Sequence, residues 1–199
     1  MTVEEAVNDL KNGNFVIIID DEKRENEGDL VISAEKVTEE KLNFMLKSAR
    51  GILCVPMEAK RLGELKIPLM VINHNDRFNT PFTVSVDHCS TSTGVSVKDR
   101  IKTIKALINP ACSPEELLRP GHMFPLKAHE LGLQGRKGHT EAAIGLMKLA
   151  SLYPAALIAE IMDDSGKMAD LSYLGDFSKR HGIRLLSVND LCSYLKKKG

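Results

Sequence analysis

The alternation of apolar and polar positions along the chain predicts short strands and helices in a mixed order. Apolar runs rich in branched side chains predict buried strands, and strict alternation predicts a half-buried one. The predicted strands cover residues 15–19, 30–32, 52–55, 82–87, 156–162 and 185–187. Apolar positions three or four apart predict helices that begin near residues 3, 39, 58, 97, 114, 140, 171 and 190. We therefore predict an α/β fold of the α+β type, with one domain over residues 1–199 and a mixed sheet flanked by helices.

Helix-start signals and turn residues give this outline its boundaries. Thr2 with Glu5, and Ser96 with Asp99, have the spacing of a reciprocal capping box. Pro114 stands at the first position of another predicted helix, where proline is favoured. Polar, glycine-containing or proline-containing stretches predict loops and turns at residues 73–81, 90–96 and 119–122.

The overall composition is that of an ordinary soluble globular protein. Hydrophobic residues make up 43% of the chain, and 27 Lys and Arg balance 27 Asp and Glu, so no long-range field favours nucleic acid or an anionic membrane. No apolar run approaches the ~20 residues of a membrane span, and the amino terminus lacks a signal-peptide pattern. The four cysteines form no Cys-x-x-Cys pair, which favours free thiols in a reducing compartment. We expect a cytoplasmic protein without nucleic-acid or membrane partners.

The most distinctive stretch is a run of ten residues, 20–29, between the first two predicted strands. Six of the ten are carboxylates, with Lys23 and Arg24 among them and Gly28 suited to a tight loop. A cluster of hard oxygen ligands beside an arginine suits Mg²⁺ and a phosphorylated or polyhydroxylated substrate. The alternative is a charged hairpin loop, because charge runs are usually solvated faces.

A second candidate site stands where a helix is predicted to begin, at residues 136–141. Backbone N–H groups at a helix start attract anions, and Arg136 and Lys137 would add two cationic donors. Thr140 could contact an anion there, or it could simply cap the helix. His139 could bind a metal ion, although a lone histidine is more often polar surface.

Two isolated titratable residues complete the candidates. His122 lies between a glycine and an apolar run, where partial burial could tune it as an acid or base; a structural histidine in a turn is the alternative. Glu160 interrupts an apolar strand, where a carboxyl group suits proton transfer unless it faces water on an edge strand. The other histidines, including His74 in the polar loop, look ordinary, and Cys54 is by default a small buried hydrophobe.

Four segments occur in a fixed order along the chain: 20–29 (DDEKRENEGD), 92–100 (STGVSVKDR), 119–126 (RPGHMFPL) and 136–141 (RKGHTE). Together they resemble the pattern of the 3,4-dihydroxy-2-butanone 4-phosphate synthase family of riboflavin biosynthesis. The resemblance runs from about Phe15 to the last helix. It implies that family's fold and a homodimer with active sites at the subunit interface.

The resemblance also implies an activity and a site. The activity is a lyase reaction that converts D-ribulose 5-phosphate to L-3,4-dihydroxy-2-butanone 4-phosphate and formate, and it requires Mg²⁺, for which Mn²⁺ can substitute. Glu25 and His139 are the implied metal ligands, and His122 and Glu160 are implied to be essential to the chemistry. The implied substrate contacts are Arg24, Glu25, Asp29, Arg136, Lys137, Gly138, His139, Thr140 and Glu160. Further residues expected to line the same pocket are Asp20, Glu27, Cys54 and Thr103.

The chemistry of the implied substrate fits these residue types. Removing a proton beside the carbonyl group of a ketose leaves an enediolate, whose charge a bound Mg²⁺ would stabilise. Our working hypothesis gives this first deprotonation to Glu27 or Asp29, and the later proton transfers to His122 and Glu160. A metal-assisted sugar-phosphate isomerase or aldolase, which would release no formate, and a non-catalytic phosphosugar-binding protein remain as alternatives.

Two features depart from the family pattern. Lys137 stands where the family commonly has glycine, so the phosphate loop is expected to differ in detail while its Gly-His-Thr core stays intact. Many relatives continue into a GTP cyclohydrolase II domain. This sequence ends at Gly199, so that second activity is not expected.

Overall fold

The computed structural model describes residues 2–72, 75 and 77–198, and these residues form one mixed sheet with helices on both faces. The strands are Val16–Ile19 (β1), Gly28–Ser33 (β2), Cys54–Met57 (β3), Val86–His88 (β4), Leu117–Lys127 (β5), Ala156–Glu160 (β6) and Arg184–Ser187 (β7). The helices are Val3–Lys11 (α1), Glu39–Ser48 (α2), Ala59–Glu64 (α3), Val97–Ile108 (α4), His139–Leu149 (α5), Leu171–His181 (α6) and Val188–Lys198 (α7). This architecture confirms the predicted α/β class. Within the described ranges, every helix is too short or too polar to cross a lipid bilayer.

The order of the strands is β4-β5-β3-β6-β2-β1-β7. The β1–β7 and β3–β5 pairs are parallel, and the other neighbours are antiparallel. The β2–β6 register sets Asp29 opposite Glu160, and β3 sets Cys54 opposite Ile158 of β6. Side chains alternate between the faces of a strand, so Asp29, Cys54 and Glu160 project from the same face.

Two apolar clusters fill the space between the sheet and its helices. One face is covered by α2, α3, α4 and α6, whose buried residues include Leu42, Met45, Leu62, Ile104, Leu107, Leu174 and Phe177. The other face is covered by α1, α5 and α7, whose buried residues include Ala6, Leu10, Ala143, Leu146, Met147 and Leu191. Val31 and Ile158 belong to this second cluster, so Asp29 and Glu160 lie on the α5 side of the sheet.

Several boundaries agree with the sequence pattern. The hydroxyl group of Thr2 accepts from the backbone N–H of Glu5 (3.2 Å), whose carboxylate accepts from the N–H of Thr2 (2.8 Å), which completes the predicted capping box. Ser96 likewise accepts from the N–H of Asp99 (3.1 Å). The Asp99 carboxylate, however, accepts from the hydroxyl group of Ser92 (2.6 Å) in the loop before the helix, so the second predicted box is only half formed.

Other boundaries differ from the predictions. The strand predicted at 52–55 begins at Cys54, because Arg50 has a positive φ of 74° and Ile52 is 54% exposed. The strand predicted at 82–87 is confirmed only at its end, because residues 86 and 87 belong to β4 while Phe82 and Thr83 form isolated bridges. The helix predicted at Pro114 is a single 3₁₀ turn. The polar loop at 73–81 was predicted to contain His74, which lies outside the described residues.

The turn predicted at residues 119–122 is instead part of β5. In the β4–β5 ladder Val86 pairs with Met123, while the next residue, Asp87, pairs with Leu118. Residues 119–122 therefore leave the ladder as a bulge, which includes a cis peptide bond before Pro120. We call residues 119–122 the β5 bulge.

Candidate active site

The acidic loop between β1 and β2 folds around the buried carboxylate of Asp20. Oδ2 of Asp20 accepts from Nη1 of Arg24 (2.8 Å) and from the backbone N–H of Glu25 (3.2 Å). Its Oδ1 accepts from the N–H of Glu27 (3.0 Å). A carboxylate that is buried and fully used in this way gives the loop a defined shape, which a solvated charged hairpin lacks.

The start of α5 meets this loop through His139, which is 5% exposed. Its Nε2–H donates to the carbonyl oxygen of Glu27 (3.3 Å), and its Nδ1 lies 3.5 Å from Oε2 of Glu25. Nη2 of Arg24 lies 2.8 Å from the other Glu25 oxygen. The two segments that the sequence singled out, the acidic loop and residues 136–141, are therefore in direct contact. We call Asp20, Glu25, Glu27, Asp29 and His139 the acidic cluster.

Asp29 is the most unusual member of the acidic cluster. It is 3% exposed, and its Oδ1 lies 3.9 Å from Nδ1 of His139 without a hydrogen-bond partner among the described residues. Burial, together with the negative charges of Glu160, Glu25 and Glu27, outweighs the attraction of His139 and raises the pKa of Asp29 to about 7. A buried oxygen without a partner is rare in folded proteins and indicates a place that a ligand completes.

The other charges of the cluster shift in ways that follow from their neighbours. Burial opposes the imidazolium form of His139, but Asp29, Glu25 and Asp20 outweigh burial and raise the pKa of His139 to about 9. Burial also opposes ionisation of Glu25, but His139 and Arg24 lower the pKa of Glu25. For Glu27, burial and the charge of Glu25 raise the pKa.

The donor set of the acidic cluster fits a divalent cation. One ligand atom from each of Asp20, Glu25 and His139 lies within 4.8 Å of the other two. Asp20 already accepts three hydrogen bonds, so Glu25 and Nδ1 of His139 are the better donors, with the Asp29 oxygen beside them. The Nε2–H bond to Glu27 orients the ring as outer hydrogen bonds orient metal-binding histidines. Carboxylate oxygens with an imidazole nitrogen suit ions such as Mg²⁺ or Mn²⁺.

The N-terminus of α5, which adjoins the cluster, has features that suit an anion. The cap residue is Gly138, which has no side chain to satisfy the first N–H groups. A Cβ atom on Gly138 would lie 2.8 Å from Nη1 of Arg136 and 3.0 Å from Nη2 of Arg24, so two guanidinium groups flank the helix start. Thr140 lies inside the helix and is buried, so the Thr-cap alternative is wrong. The positive helix end and two arginines suit a phosphate group.

Arg136 is held in place by Glu141, a residue whose role the sequence did not reveal. Nη1 of Arg136 lies 2.8 Å from Oε2 of Glu141, whose side chain is fully buried. Nη2 of Arg136 donates to Thr80 (3.0 Å), and Oε1 of Glu141 accepts from the N–H of His129 (3.0 Å). An acidic residue in the first turn of a helix is already explained by the helix dipole. The sequence pattern therefore gives no sign that Glu141 also holds Arg136.

Lys137 lies apart from the acidic cluster. It is exposed and lines a groove of about 1370 Å³ between the β5–α5 connection and α7. None of the described residues that line this groove belongs to the acidic loop. The charge of Lys137 does reach that loop: the pKa of Asp21 is lowered by hydrogen bonds from Asn189 and from the Lys23 backbone, then by the charges of Lys23 and Lys137.

Glu160 lies beside the cluster, at the end of β6. Its Oε2 accepts from the N–H of Ile52 (2.8 Å), and its carbonyl oxygen accepts from the N–H of Gly51 (3.0 Å). Because β6 lies between β3 and β2, the edge-strand alternative is wrong. The strand register places Cys54 on the same face near Glu160 and Asp29, where burial, then the charges of these two carboxylates, raise the pKa of the Cys54 thiol well above its usual value.

His122 and Thr103 belong to a different part of the chain. The His122 side chain, in the β5 bulge, is 44% exposed, and strand β3 separates β5 from β6, which carries Glu160. Thr103 is buried in α4, where its hydroxyl group accepts from the N–H of His88 in β4. The predicted site residues of one chain thus form two groups: the acidic cluster with Arg24, Arg136 and Glu160, and a group around β4 and β5.

A buried carboxylate–imidazole cluster next to an arginine-flanked helix N-terminus combines ligands that suit a divalent cation with donors that suit a phosphate group, which is the class of site expected for phosphorylated substrates. The family model described as 3,4-dihydroxy-2-butanone 4-phosphate synthase matches residues 4–194. This chain belongs to the 3,4-dihydroxy-2-butanone 4-phosphate synthase family.

Relatives and solved structures agree with this assignment. The chain is 50% identical to the riboflavin biosynthesis protein RibBA of Phocaeicola vulgatus, over 98% of this chain and 49% of that protein. It is 46% identical to a 3,4-dihydroxy-2-butanone 4-phosphate synthase of Agrobacterium fabrum, over 98% of this chain and 92% of that one. The chain therefore spans about half the length of RibBA relatives.

Two solved structures share the fold closely. A crystal structure of 3,4-dihydroxy-2-butanone 4-phosphate synthase in complex with two magnesium ions superposes with a TM-score of 0.93 at 36% identity, covering 99% of this chain and 97% of that one. The two-domain synthase RibBX of A. baumannii also gives a TM-score of 0.93, at 40% identity, covering 98% of this chain and 57% of that one. The fold implied by the sequence resemblance is confirmed.

Proposed function

We propose that this chain converts D-ribulose 5-phosphate to L-3,4-dihydroxy-2-butanone 4-phosphate and formate, a lyase step of riboflavin biosynthesis. The observation that carries the proposal is the contact between the acidic loop and α5, where Glu25, Asp29 and His139 meet around a buried oxygen without a partner.

A cytosolic location without nucleic-acid or membrane partners is part of the same proposal. It rests on four free cysteines and on balanced charge.

The phosphate group of the substrate would lie at the N-terminus of α5. The N–H groups from Gly138 to Thr140 would donate to it, together with Arg24 and Arg136. Asp20 holds Arg24, and Glu141 holds Arg136, so both guanidinium groups are oriented before a ligand arrives. Such preorganised donors bind an anion without a further cost of ordering. Lys137, though exposed, would extend the positive potential around this site.

Glu25 and His139 would hold a divalent cation, with Asp29 beside it. The cation would be Mg²⁺, and Mn²⁺ could replace it. When bound, such an ion polarises the carbonyl and hydroxyl oxygens of a sugar and stabilises negative charge that develops on them. The residues of the chain supply the rest: Arg24 fixes Glu25, and the carbonyl group of Glu27 fixes the ring of His139.

Asp29 is our candidate for the first deprotonation. Its pKa of about 7 suits a general base at neutral pH, and it lies within the acidic cluster, where the substrate carbonyl would bind. Glu27, whose pKa is also raised by burial, is the second candidate. Glu160, directly across the β2–β6 ladder from Asp29, and His122 would carry the later proton transfers. An Asp29→Asn variant that exchanges the C3 proton of the substrate at the wild-type rate would exclude Asp29.

We further propose a homodimer in which each active site combines both chains. Within one chain, β3 lies between the strands of His122 and Glu160, and the His122 side chain is 44% exposed. A second copy would bring the partner subunit's His122 to the acidic cluster.

The activity is tested by incubating the protein with carbon-13-labelled ribulose 5-phosphate, with and without Mg²⁺, and following the products by NMR. We expect formate from C4 and a four-carbon phosphate with a new methyl group, both lost when a chelator is added. An isomerised pentose or cleavage without formate would favour an isomerase or aldolase instead. Unchanged substrate with folded, metal-supplied protein would favour a binding protein.

The shared site is tested by mixing two inactive variants, Glu25→Gln and His122→Asn, under conditions that exchange subunits. A hybrid dimer would contain one site with both wild-type residues, so a random mixture should recover up to about a quarter of wild-type activity. A mixture that stays inactive, while sedimentation shows that hybrids form, would contradict the shared site and leave the proposed reaction untouched.

A further inference from the structure

The β5 bulge carries a carboxylate–imidazole pair outside the acidic cluster. The backbone N–H of His122 donates to Oδ1 of Asp87 (2.9 Å), and Nδ1 of the same histidine lies 2.7 Å from Oδ2 of the same carboxylate. One side chain of β4 therefore holds both the main chain and the ring of His122. The Asp87 side chain is 8% exposed, whereas the His122 side chain is 44% exposed, so the ring presents its other edge outward.

We propose that Asp87 is a positioning residue that orients the His122 ring and keeps its proton on Nδ1. The proposal rests on the proposed function, because His122 has a catalytic role only within it. A carboxylate has no proton to donate, so the short contact requires Nδ1–H to be the donor. In the neutral ring, the lone pair then lies on Nε2, the nitrogen that faces away from Asp87. Nε2 is therefore the atom that exchanges protons with the substrate.

The surrounding backbone confines the pair. Gly94, in the hydroxyl-rich loop, has a positive φ of 82°, and a Cβ atom there would lie 2.0 Å from Oδ2 of Asp87 and 2.7 Å from Nδ1 of His122. On the other side, the N–H of Gly121 donates to the hydroxyl group of Ser85 (3.1 Å). A Cβ atom on Gly121 would lie 2.0 Å from the carbonyl carbon of Val86. The hydrogen bond between Asp87 and His122 is thus enclosed by main chain, which leaves the ring one orientation.

A purely structural role for Asp87 makes different predictions. In that case Asp87 serves only to tie the bulge to β4 through the N–H of His122. An Asp87→Asn variant separates the two roles, because its amide oxygen still accepts from that N–H. Its NH₂ group would face Nδ1, which must then accept, so the ring proton moves to Nε2. The substitution is nearly isosteric and alters the tautomer with little change in volume.

The experiment combines nitrogen-15 NMR of the imidazole rings with steady-state kinetics of formate release. The His122 signals are assigned from a His122→Asn variant. We expect Nδ1–H in the wild type and Nε2–H in Asp87→Asn. We also expect kcat to fall by about 100-fold or more with KM changed by less than about threefold, as for a group that acts in the transition state. In the Asp87→Asn/His122→Asn double variant, activity should be no lower than in His122→Asn alone.

Three results would overturn the proposal: a wild-type ring with its proton on Nε2, an Asp87→Asn variant with kcat within about threefold of wild type, or losses that multiply in the double variant. If Asp87→Asn does not fold, the wild-type tautomer alone decides. A wild-type protein that releases no formate would instead overturn the proposed function, and with it the catalytic reason for the pair, whichever tautomer is found.

Discussion

The acidic cluster and the β5 bulge are stabilised by different physical means. In the cluster, charges from the β1–β2 loop, β2 and α5 hold one another: burial raises the pKa of Asp29 to about 7, and the surrounding carboxylates outweigh burial and raise the pKa of His139 to about 9. The bulge is held by hydrogen bonds from the backbone N–H groups of Gly121 and His122 to the side chains of Ser85 and Asp87, and by the close approach of Gly121 to β4. The acidic cluster therefore depends chiefly on the balance of its charges, and the β5 bulge depends chiefly on the small volume of Gly121 where it approaches β4. Substitutions that change one property and keep the other should separate them.

The largest effect is expected from removing one charge of the cluster at constant volume. Glu25→Gln takes away a ligand of the proposed cation and leaves His139 and Arg24 without their shared partner. Formate release should fall by about 1000-fold, and Mg²⁺ binding measured by calorimetry should weaken by at least about tenfold. The matched control is Glu22→Gln, an exposed residue of the same loop, which should behave as wild type. Equal losses in both variants would mean that total loop charge matters and the individual contacts do not.

Adding volume at constant charge should damage the bulge instead. Gly121→Ala would place a methyl group 2.0 Å from the backbone of Val86, and we expect a loss of about 3 kcal/mol in the free energy of unfolding, measured with urea. The control is Gly63→Ala in α3, where no described atom lies within 4 Å of the new methyl group. That change should stabilise the helix by about 0.5–1 kcal/mol. An unchanged Gly121→Ala protein would show that the bulge can move away from β4.

The pH dependence of stability should come from the cluster. The folded-state pKa of His139 is raised from 6.5 to about 9, so its stabilising contribution is complete below pH 6.5 and is lost as the pH rises through 9. Asp29, raised from 3.8 to about 7, acts in the same direction at lower pH, because the folded protein again holds the extra proton. In chelator, we expect the free energy of unfolding to fall by on the order of 2 kcal/mol between pH 6.5 and 9.

The control for this slope is a His139→Asn variant, which has no imidazole proton to release and should lose clearly less stability over the same range, the remaining loss coming from Asp29. Saturating Mg²⁺, by replacing the proton in the wild type, should flatten the slope as well. A slope that stays as steep as that of the wild type in both experiments would assign the pH dependence to residues outside the acidic cluster.

The smallest effect is expected from a residue that belongs to neither the acidic cluster nor the β5 bulge. Glu141→Gln weakens the hold on Arg136 but keeps the shape of the side chain. We expect KM for ribulose 5-phosphate to rise about tenfold with kcat nearly unchanged, because a mispositioned phosphate contact costs ground-state and transition-state binding alike. Glu130→Gln, an exposed carboxylate near by in sequence, is the control. A fall in kcat without a change in KM would place Glu141 in the chemistry instead.

The acidic cluster could be predicted from the sequence because its signals are local. Each signal lies within one short stretch of sequence: six carboxylates in ten residues, and Gly138-His139-Thr140 at a helix start. The family resemblance then placed these stretches in one site, and their contact through Glu25 and His139 follows that expectation. Secondary structure was predicted well where caps and periodicity agree, as in α1 and α6.

The β4–β5 region could not be predicted in the same way, because its geometry depends on strand register. Proline and glycine in 119–122 favour a turn, and only the pairing on both sides keeps these residues within β5. Asp87 ends an alternating stretch and carries no local signal; it reaches His122 across 35 positions of sequence. Thr103 was expected in the pocket, which stays a prediction; its hydroxyl group accepts from the N–H of His88, a contact that no local pattern indicates.

The β2–β6 ladder makes the length of these strands as important as their composition. Asp29 and Glu160 share a face because they are directly paired, and side chains along a strand alternate between faces. A single residue inserted just before Val31 would turn Asp29 away from α5, towards the apolar layer under α6, although every residue of the acidic cluster would still be encoded. In a library of one-residue insertions, β2 and β6 should therefore accept none that retain activity, while the exposed chain at 70–72 should accept many.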